Sequence, residues 1–234
     1  MTRIIAFDGI DCTGKTTVIE SLKERLIEEN YIPYVFHLTS PDVLYKEFFV
    51  SQFFTKSELD VSEPFIQWSK FIECFNNIKV ILAANPHNIV LLDRTPFSQP
   101  IWNRFFDRGK DSVQAGLLTY FLKYFETLNE EMLFVNLNVN TEILTQRILL
   151  SDNDRINFIN AFNRLYSLDK PVRTETDEGK ISFMIYQLKE EFNRLFVSLS
   201  RNQIDVKTFD NNIEEDFQHI LDELTKINEQ VENE

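Results

Sequence analysis

Two cysteines and three histidines are all that 234 residues offer to a disulfide framework or a soft-metal site. Cys12 and Cys74 are too few to staple a small fold, and nothing among them and His37, His87 and His219 has metal-ligand spacing, so both thiols are expected to be free. Basic residues are also scarce: 24 Lys and Arg stand against 37 Asp and Glu, a formal charge of −13. That balance argues against a surface built for DNA, RNA or an anionic membrane. No apolar run reaches the ~18 residues of a membrane span, and no basic start with an apolar run reads as an export signal. No Pro-, Gly- or Ser-rich stretch divides the chain. The expectation is a single domain over residues 1–234, cytoplasmic, that meets phosphate in a small-molecule nucleotide, with no nucleic-acid or membrane partner. A homodimer stays open.

Against this background one stretch stands out, Ile4 to Thr17. Ile4, Ile5, Ala6 and Phe7 form an apolar run of the kind found in strands buried on both faces. Gly9, Gly14, Lys15 and Thr16 then satisfy the spacing G-x-x-x-x-G-K-[ST], and Val18, Ile19, Leu22 and Leu26 follow at helical spacing. A glycine loop between strand and helix points successive backbone N–H groups into one concavity and adds the positive end of the helix. Lys15 reaches the outer phosphates, Thr16 offers a hydroxyl to Mg²⁺, and Cys12, Thr13 and Thr17 complete the loop. The pattern predicts nucleoside triphosphate binding.

Further strands are expected at Tyr31 to Leu38, Asn88 to Asp93, Met132 to Val139 and Val206 to Asp210. Helices are expected at 43–54, 62–84, 96–106, 113–128, 141–150, 156–168 and 181–199. Asn140 or Thr141 caps one of them, and Asn212 with Glu215 forms a capping box before the last. Five strands alternating with helices predict an α/β fold with a doubly wound parallel sheet. The polar, charged segment at about 147–179 reads as a lid. Most of the 22 phenylalanines are expected to be core.

A second constellation lies at the end of the third strand, Asp93-Arg94 followed by Ser98 and Gln99. An acid at a strand end beside a phosphate loop can hold Mg²⁺, and the following Arg can grip a phosphate; a salt bridge to a nearby helix is the plainer alternative. Cys12, beside Lys15 and a helix N-terminus, is expected to have a lowered pKa and a reactive thiol.

Together these residues resemble the thymidylate kinase family and, more distantly, the deoxynucleoside kinases, both phosphate-loop kinases. Phe7-Asp8-Gly9-Ile10-Asp11-Cys12-Thr13-Gly14-Lys15-Thr16-Thr17 is similar to the family's F-E-G-x-D-x-x-G-K-T-T, and Asp93-Arg94 with Ser98 to its D-R-Y-x-x-S. Residues 132–147 look like its fourth strand and the helix entering its lid, and 206–217 like its last strand, adenine loop and helix. The resemblance implies an enzyme using ATP and Mg²⁺ to phosphorylate a deoxynucleoside 5′-monophosphate, foremost dTMP. It implies Asp11 at the acceptor's sugar, Arg94 at its phosphate, Ser98 and Gln99 at its base, and Trp102 against the deoxyribose. Trp68 or Phe71 would stack on the base, although packing serves either equally well.

The departures bear on mechanism. Cys12 stands where some members carry a loop Arg, so the charge on the migrating phosphoryl group must be met by lid cations: Arg155 and Arg173 as catalytic candidates, Arg147 as an ATP contact. Thr95 replaces the usual aromatic. Ser40-Pro41 stands where deoxynucleoside kinases carry a Glu-Pro base, which favours an already ionised monophosphate as acceptor. Asp8 or Asp42 could still serve as base, so a deoxynucleoside kinase remains an alternative, as does a triphosphate-binding module without turnover.

Overall fold

The computed structural model describes residues 2–37, 76–95, 97–106, 131–166, 176–202 and 204–229. Its strands are β1 (Thr2–Asp8), β2 (Ile32–His37), β3 (Asn88–Asp93), β4 (Glu131–Asn138) and β5 (Asp205–Asp210). They form one parallel sheet in the order β2-β3-β1-β4-β5. The most apolar run lies in the middle because a central strand buries both faces. Ile4 and Ala6 pack into one layer, Ile5 and Phe7 into the other.

The helices divide between these layers as right-handed crossovers require. From β1 the chain moves to β2 at one edge, and α1 (Lys15–Glu28) covers the Ile5/Phe7 side with Val18, Ile19, Leu22 and Leu26. Every later step runs the opposite way across the sheet, so the connecting helices lie on the Ile4/Ala6 side: helical residues 76–84, α2 (Gln99–Phe106), α3 (Thr141–Leu150), α4 (Asp152–Tyr166) and α5 (Asp177–Arg201). The last helix, α6 (Glu214–Glu229), returns to α1 with Ile220, Leu221 and Leu224. Connections leave β1 and β3 toward opposite faces, which opens a crevice at their carboxyl ends, where open α/β sheets bind ligands.

The five-stranded doubly wound reading therefore holds. Several boundaries are corrected. α2 starts at Gln99 rather than Pro96, after a turn in which Phe97 N–H donates to Thr95 Oγ1 at 3.2 Å. α4 starts four residues before the expected Ile156, and Arg155 N–H closes its first turn on Ser151 O at 2.8 Å. Thr176 caps α5 by accepting from Gly179 N–H at 3.1 Å, which sets its start at Asp177 rather than Ile181. Asn140 caps α3 by accepting from Glu142 N–H at 2.8 Å. The Asn212–Glu215 box does not form: Asp216, not Glu215, accepts from the N–H groups of Asn212 (2.9 Å) and Ile213 (3.3 Å), while Asn212 Oδ1 accepts from Asn140 N–H at 2.6 Å. The helices expected at 43–54 and 113–128, and most of that at 62–84, lie outside the described residues. No helix among the described residues is long and apolar enough to cross a membrane.

Candidate active site

The strand β1 ends at Asp8 and α1 begins at Lys15, so the six residues between them form the loop anticipated from the motif. Its turns need left-handed backbone at Gly9 (φ 134°), Cys12 (φ 64°) and Gly14 (φ 89°), a region open to glycine and strained for most other residues. Gly14 is the N-cap of α1 and no side chain caps the helix, which leaves the first-turn N–H groups to an anion. Lys15 is almost fully buried; its Nζ donates to Ile10 O at 2.7 Å and to Gly9 O at 3.1 Å. Burial lowers its pKa, opposed by the charges of Asp8 and Asp93. Thr16 and Thr17 are exposed at the helix start.

The neighbouring strand brings up the second constellation, since Phe7 and Asp93 are register partners. Thr16 Oγ1 donates to Asp93 Oδ2 at 3.3 Å. A hydroxyl and a carboxylate are hard oxygen donors of the kind Mg²⁺ takes. Among the described residues there is no group of three or more His, Cys, Asp or Glu able to hold a metal.

Arg94 turns out of β3 with φ 71° and its N–H donates to Phe7 O at 2.8 Å. Its guanidinium pairs with Asp11 and lies over the Trp102 ring, Cζ 4.5 Å from the ring centre. The structure thus brings together Asp11, Arg94 and Trp102, three residues expected at the acceptor. Trp102 itself is only 1 % exposed and packs edge-on against Phe192 at 5.8 Å. In this arrangement the Arg94 guanidinium, its side chain itself only 12 % exposed, lies over the ring, so the ring supports the cation instead of presenting a face to a sugar.

Asp8 is fully buried. Its carboxylate accepts from Thr95 Oγ1 at 2.5 Å and from Gly9 N–H at 3.2 Å. Burial raises its pKa, opposed by hydrogen bonds from Thr95 and Ser98 and by the charges of Arg94 and Lys15. Thr95, set where the family has an aromatic, is therefore the partner that this buried acid requires. Ser98 joins the same network: it is 1 % exposed and its hydroxyl donates to Thr95 O at 3.2 Å. That inward position differs from the base-facing one expected for it.

The expectation of a reactive Cys12 is overturned. Its Sγ donates to Asp154 Oδ2 at 3.2 Å, and the thiol pKa is pushed up to about 12, first by burial and then by the Asp154 carboxylate. Lys15 and Arg147 pull the other way and lose. Ser151 Oγ holds the same Asp154 oxygen at 2.6 Å. Arg147 reaches the loop as well, donating to Cys12 O at 3.4 Å and to Asn211 O at 3.3 Å. Arg155 pairs with Asp152 at 2.8 Å in an exposed i,i+3 bridge, a contact of little energetic weight. Trp68, Phe71 and Arg173 lie outside the described residues, as does Cys74; Gln99 opens α2.

Sequence reasoning missed Asp154 and Asn211. Asn211 is buried, and its Nδ2 donates to Thr13 O at 2.8 Å. Both touch the loop from segments 142 and 198 positions away in sequence, a proximity that no local spacing reveals.

No protein-family model and no curated protein sequence matches this chain. Solved structures do. The thymidylate kinase of Ehrlichia chaffeensis is 16 % identical, with 97 % of this chain and 98 % of that one covered at a TM-score of 0.52. The thymidylate kinase of Candida albicans is 13 % identical, with 99 % and 93 % covered at a TM-score of 0.50. At such identities the likeness is one of fold: the described residues share the parallel α/β architecture of these two structures.

Proposed function

We propose that the chain is a kinase that moves the γ-phosphoryl group of ATP, with Mg²⁺, to a deoxynucleoside 5′-monophosphate, and that dTMP is the acceptor to try first. The observation that carries this reading is the crevice between β1 and β3. There the phosphate loop with Lys15 and Thr16 faces Asp93 and Arg94 across one strand spacing. One strand supplies a triphosphate cradle and its neighbour supplies a cation for a second phosphate. Thymidylate as acceptor is supported by the two structural neighbours being thymidylate kinases and by the resemblance of Asp93-Arg94 to that family's motif.

Phosphoryl transfer depends on positioning and on neutralising charge over the migrating group. Lys15 would follow the β- and γ-phosphates, and Thr16 and Asp93 would hold Mg²⁺, which would supply positive charge against the phosphates. Arg94 would exchange Asp11 for the acceptor phosphate, with Trp102 beneath it. Arg147 would sit at the ATP side, and Arg155 or Arg173 would close with the lid. The monophosphate is favoured over a nucleoside because a nucleoside 5′-hydroxyl needs a base within reach. Asp8, a candidate for that role, is sealed beneath Thr95. A monophosphate with a second pKa of about 6 arrives ionised.

A coupled ADP-release screen over nucleosides and monophosphates tests the reading. Turnover on dTMP or another deoxynucleoside monophosphate is expected. Turnover on thymidine but not on dTMP would transfer the chain to the deoxynucleoside kinases. ATP binding without turnover on any acceptor would make it a binding module.

A further inference from the structure

The geometry points to Asn211 as a positioning residue for the triphosphate cradle, acting through the loop backbone. This rests on reading the loop as a triphosphate site and is independent of which acceptor is used. Asn211 follows β5, 198 positions after its partner Thr13. It is fixed on its own side, because its N–H donates to Asn138 O at 2.8 Å at the exit of β4. From there Nδ2 holds Thr13 O at 2.8 Å, and the Asn211 carbonyl accepts from Arg147, whose other nitrogen holds Cys12 O at 3.4 Å. Asn211 and Arg147 therefore grip two consecutive carbonyls of the loop.

Every peptide bond among the described residues is trans, and in a trans peptide the C=O and the following N–H point in opposite directions. Drawing Cys12 O and Thr13 O toward Arg147 and Asn211 aims the N–H groups of Thr13 and Gly14 the other way, into the concavity where an anion binds. Preset donors lose no freedom when the phosphate arrives, and that is where preorganisation contributes affinity. The contact is close-fitting as well as polar. A Cβ built on Gly14 would lie 2.7 Å from Asn211 Nδ2, so the second glycine of the motif leaves room for Asn211 in addition to supplying a positive φ. The loop after β5, which the resemblance assigns to the adenine, is thereby wired to the phosphates.

The test compares a ligand with a base and one without. Asn211→Leu keeps the branched shape and removes the amide, and its affinity for ATP and for inorganic tripolyphosphate is measured by calorimetry beside the parent protein. The expected result is a loss of about 5- to 10-fold for both ligands alike, the scale of one buried hydrogen bond, with a thermal midpoint only a few °C below that of the parent. Weakening of ATP alone would make Asn211 a base contact and overturn the inference, as would unchanged affinity for both. If Asn211→Leu fails to fold, Asn211→Ser is measured by the same criteria. A parent protein that binds neither ligand would instead refute the triphosphate reading itself, so the two failures are distinguishable.

Discussion

Cys12 and Asp154 form a hydrogen bond 3.2 Å long between the phosphate loop and the first turn of α4. A thiol with two cations nearby is thereby kept protonated, because burial and one carboxylate together outweigh Lys15 and Arg147.

This contact makes Cys12 slow to react. With its pKa pushed up to about 12, the thiolate fraction at pH 8 is on the order of one part in 10⁴, and the thiolate is the nucleophile. Iodoacetamide labelling followed by peptide mass spectrometry, which separates Cys12 from Cys74, should show a rate for Cys12 that climbs about tenfold per pH unit to beyond pH 10. Asp154→Asn should speed labelling at pH 8 by roughly tenfold or more by removing the carboxylate. Rapid modification of the parent at pH 7 would show that the loop does not keep this contact in solution.

The buried acid Asp8 should couple stability to pH. Its folded pKa is raised by burial above the ordinary carboxyl value of 3.8. An acid raised in the folded state favours folding most below its unfolded pKa, and the contribution falls as pH rises from 3.8 through the folded pKa. Asp8→Asn carries no charge to desolvate. Its thermal midpoint relative to the parent should therefore rise as the pH climbs above 3.8, at ~2–4 °C for each kcal/mol in a chain of this size. A difference that grows toward acid would mean that Asp8 is stabilised as the carboxylate.

Lys15 and Arg94 should fail differently. Lys15→Ala should abolish turnover and weaken ATP, whereas Arg94→Ala should chiefly raise the acceptor KM by roughly tenfold or more, as loss of a charge-assisted phosphate contact predicts. Trp102→Leu should imitate Arg94→Ala mildly, with an acceptor KM up by about 2- to 30-fold for a cation–π contact of ~0.5–2 kcal/mol, and an unchanged KM for ATP. Steady-state kinetics with each substrate varied separates these outcomes. Unchanged acceptor parameters in the Arg94 variant would reduce the Asp93-Arg94 pair to a structural one.

The lid cation should show itself in kcat. If Arg155 or Arg173 meets the charge of the migrating phosphoryl group, its replacement by Ala should lower kcat by about 10³-fold while leaving acceptor binding nearly intact, because that contact matures only in the transition state. Single-turnover rates for Arg147→Ala, Arg155→Ala and Arg173→Ala distinguish the three. Rates within a few-fold of the parent for all of them would exclude a lid arginine from the role.

The legible part of this molecule was the part encoded locally. Gly9, Gly14, Lys15 and Thr16 lie within eight residues and each has a backbone or charge reason for its place, and apolar runs ending at Asp8 and Asp93 located the two strands that meet at the crevice. The contacts that tune the loop were not legible. Asp154 lies 142 positions from Cys12, and Asn211 lies 198 from Thr13. Proximity alone made Cys12 look activated, since Lys15 and the helix N-terminus are adjacent in sequence whereas the opposing carboxylate arrives with the tertiary fold. The Asp8–Thr95 bond, 87 positions apart, likewise turned an apparent departure at Thr95 into a necessity.

The pairing of Phe7 with Asp93 has one more consequence. The phosphate loop leaves β1 after Asp8 and Arg94 leaves β3 after Asp93, so the two arms of the crevice start one strand pitch of ~4.8 Å apart. A slip of one residue between these strands would carry Arg94 ~3.3 Å along the crevice and reverse the facing of every side chain on β3. The sheet thus sets the spacing between the strand ends from which the phosphate loop and Arg94 set out.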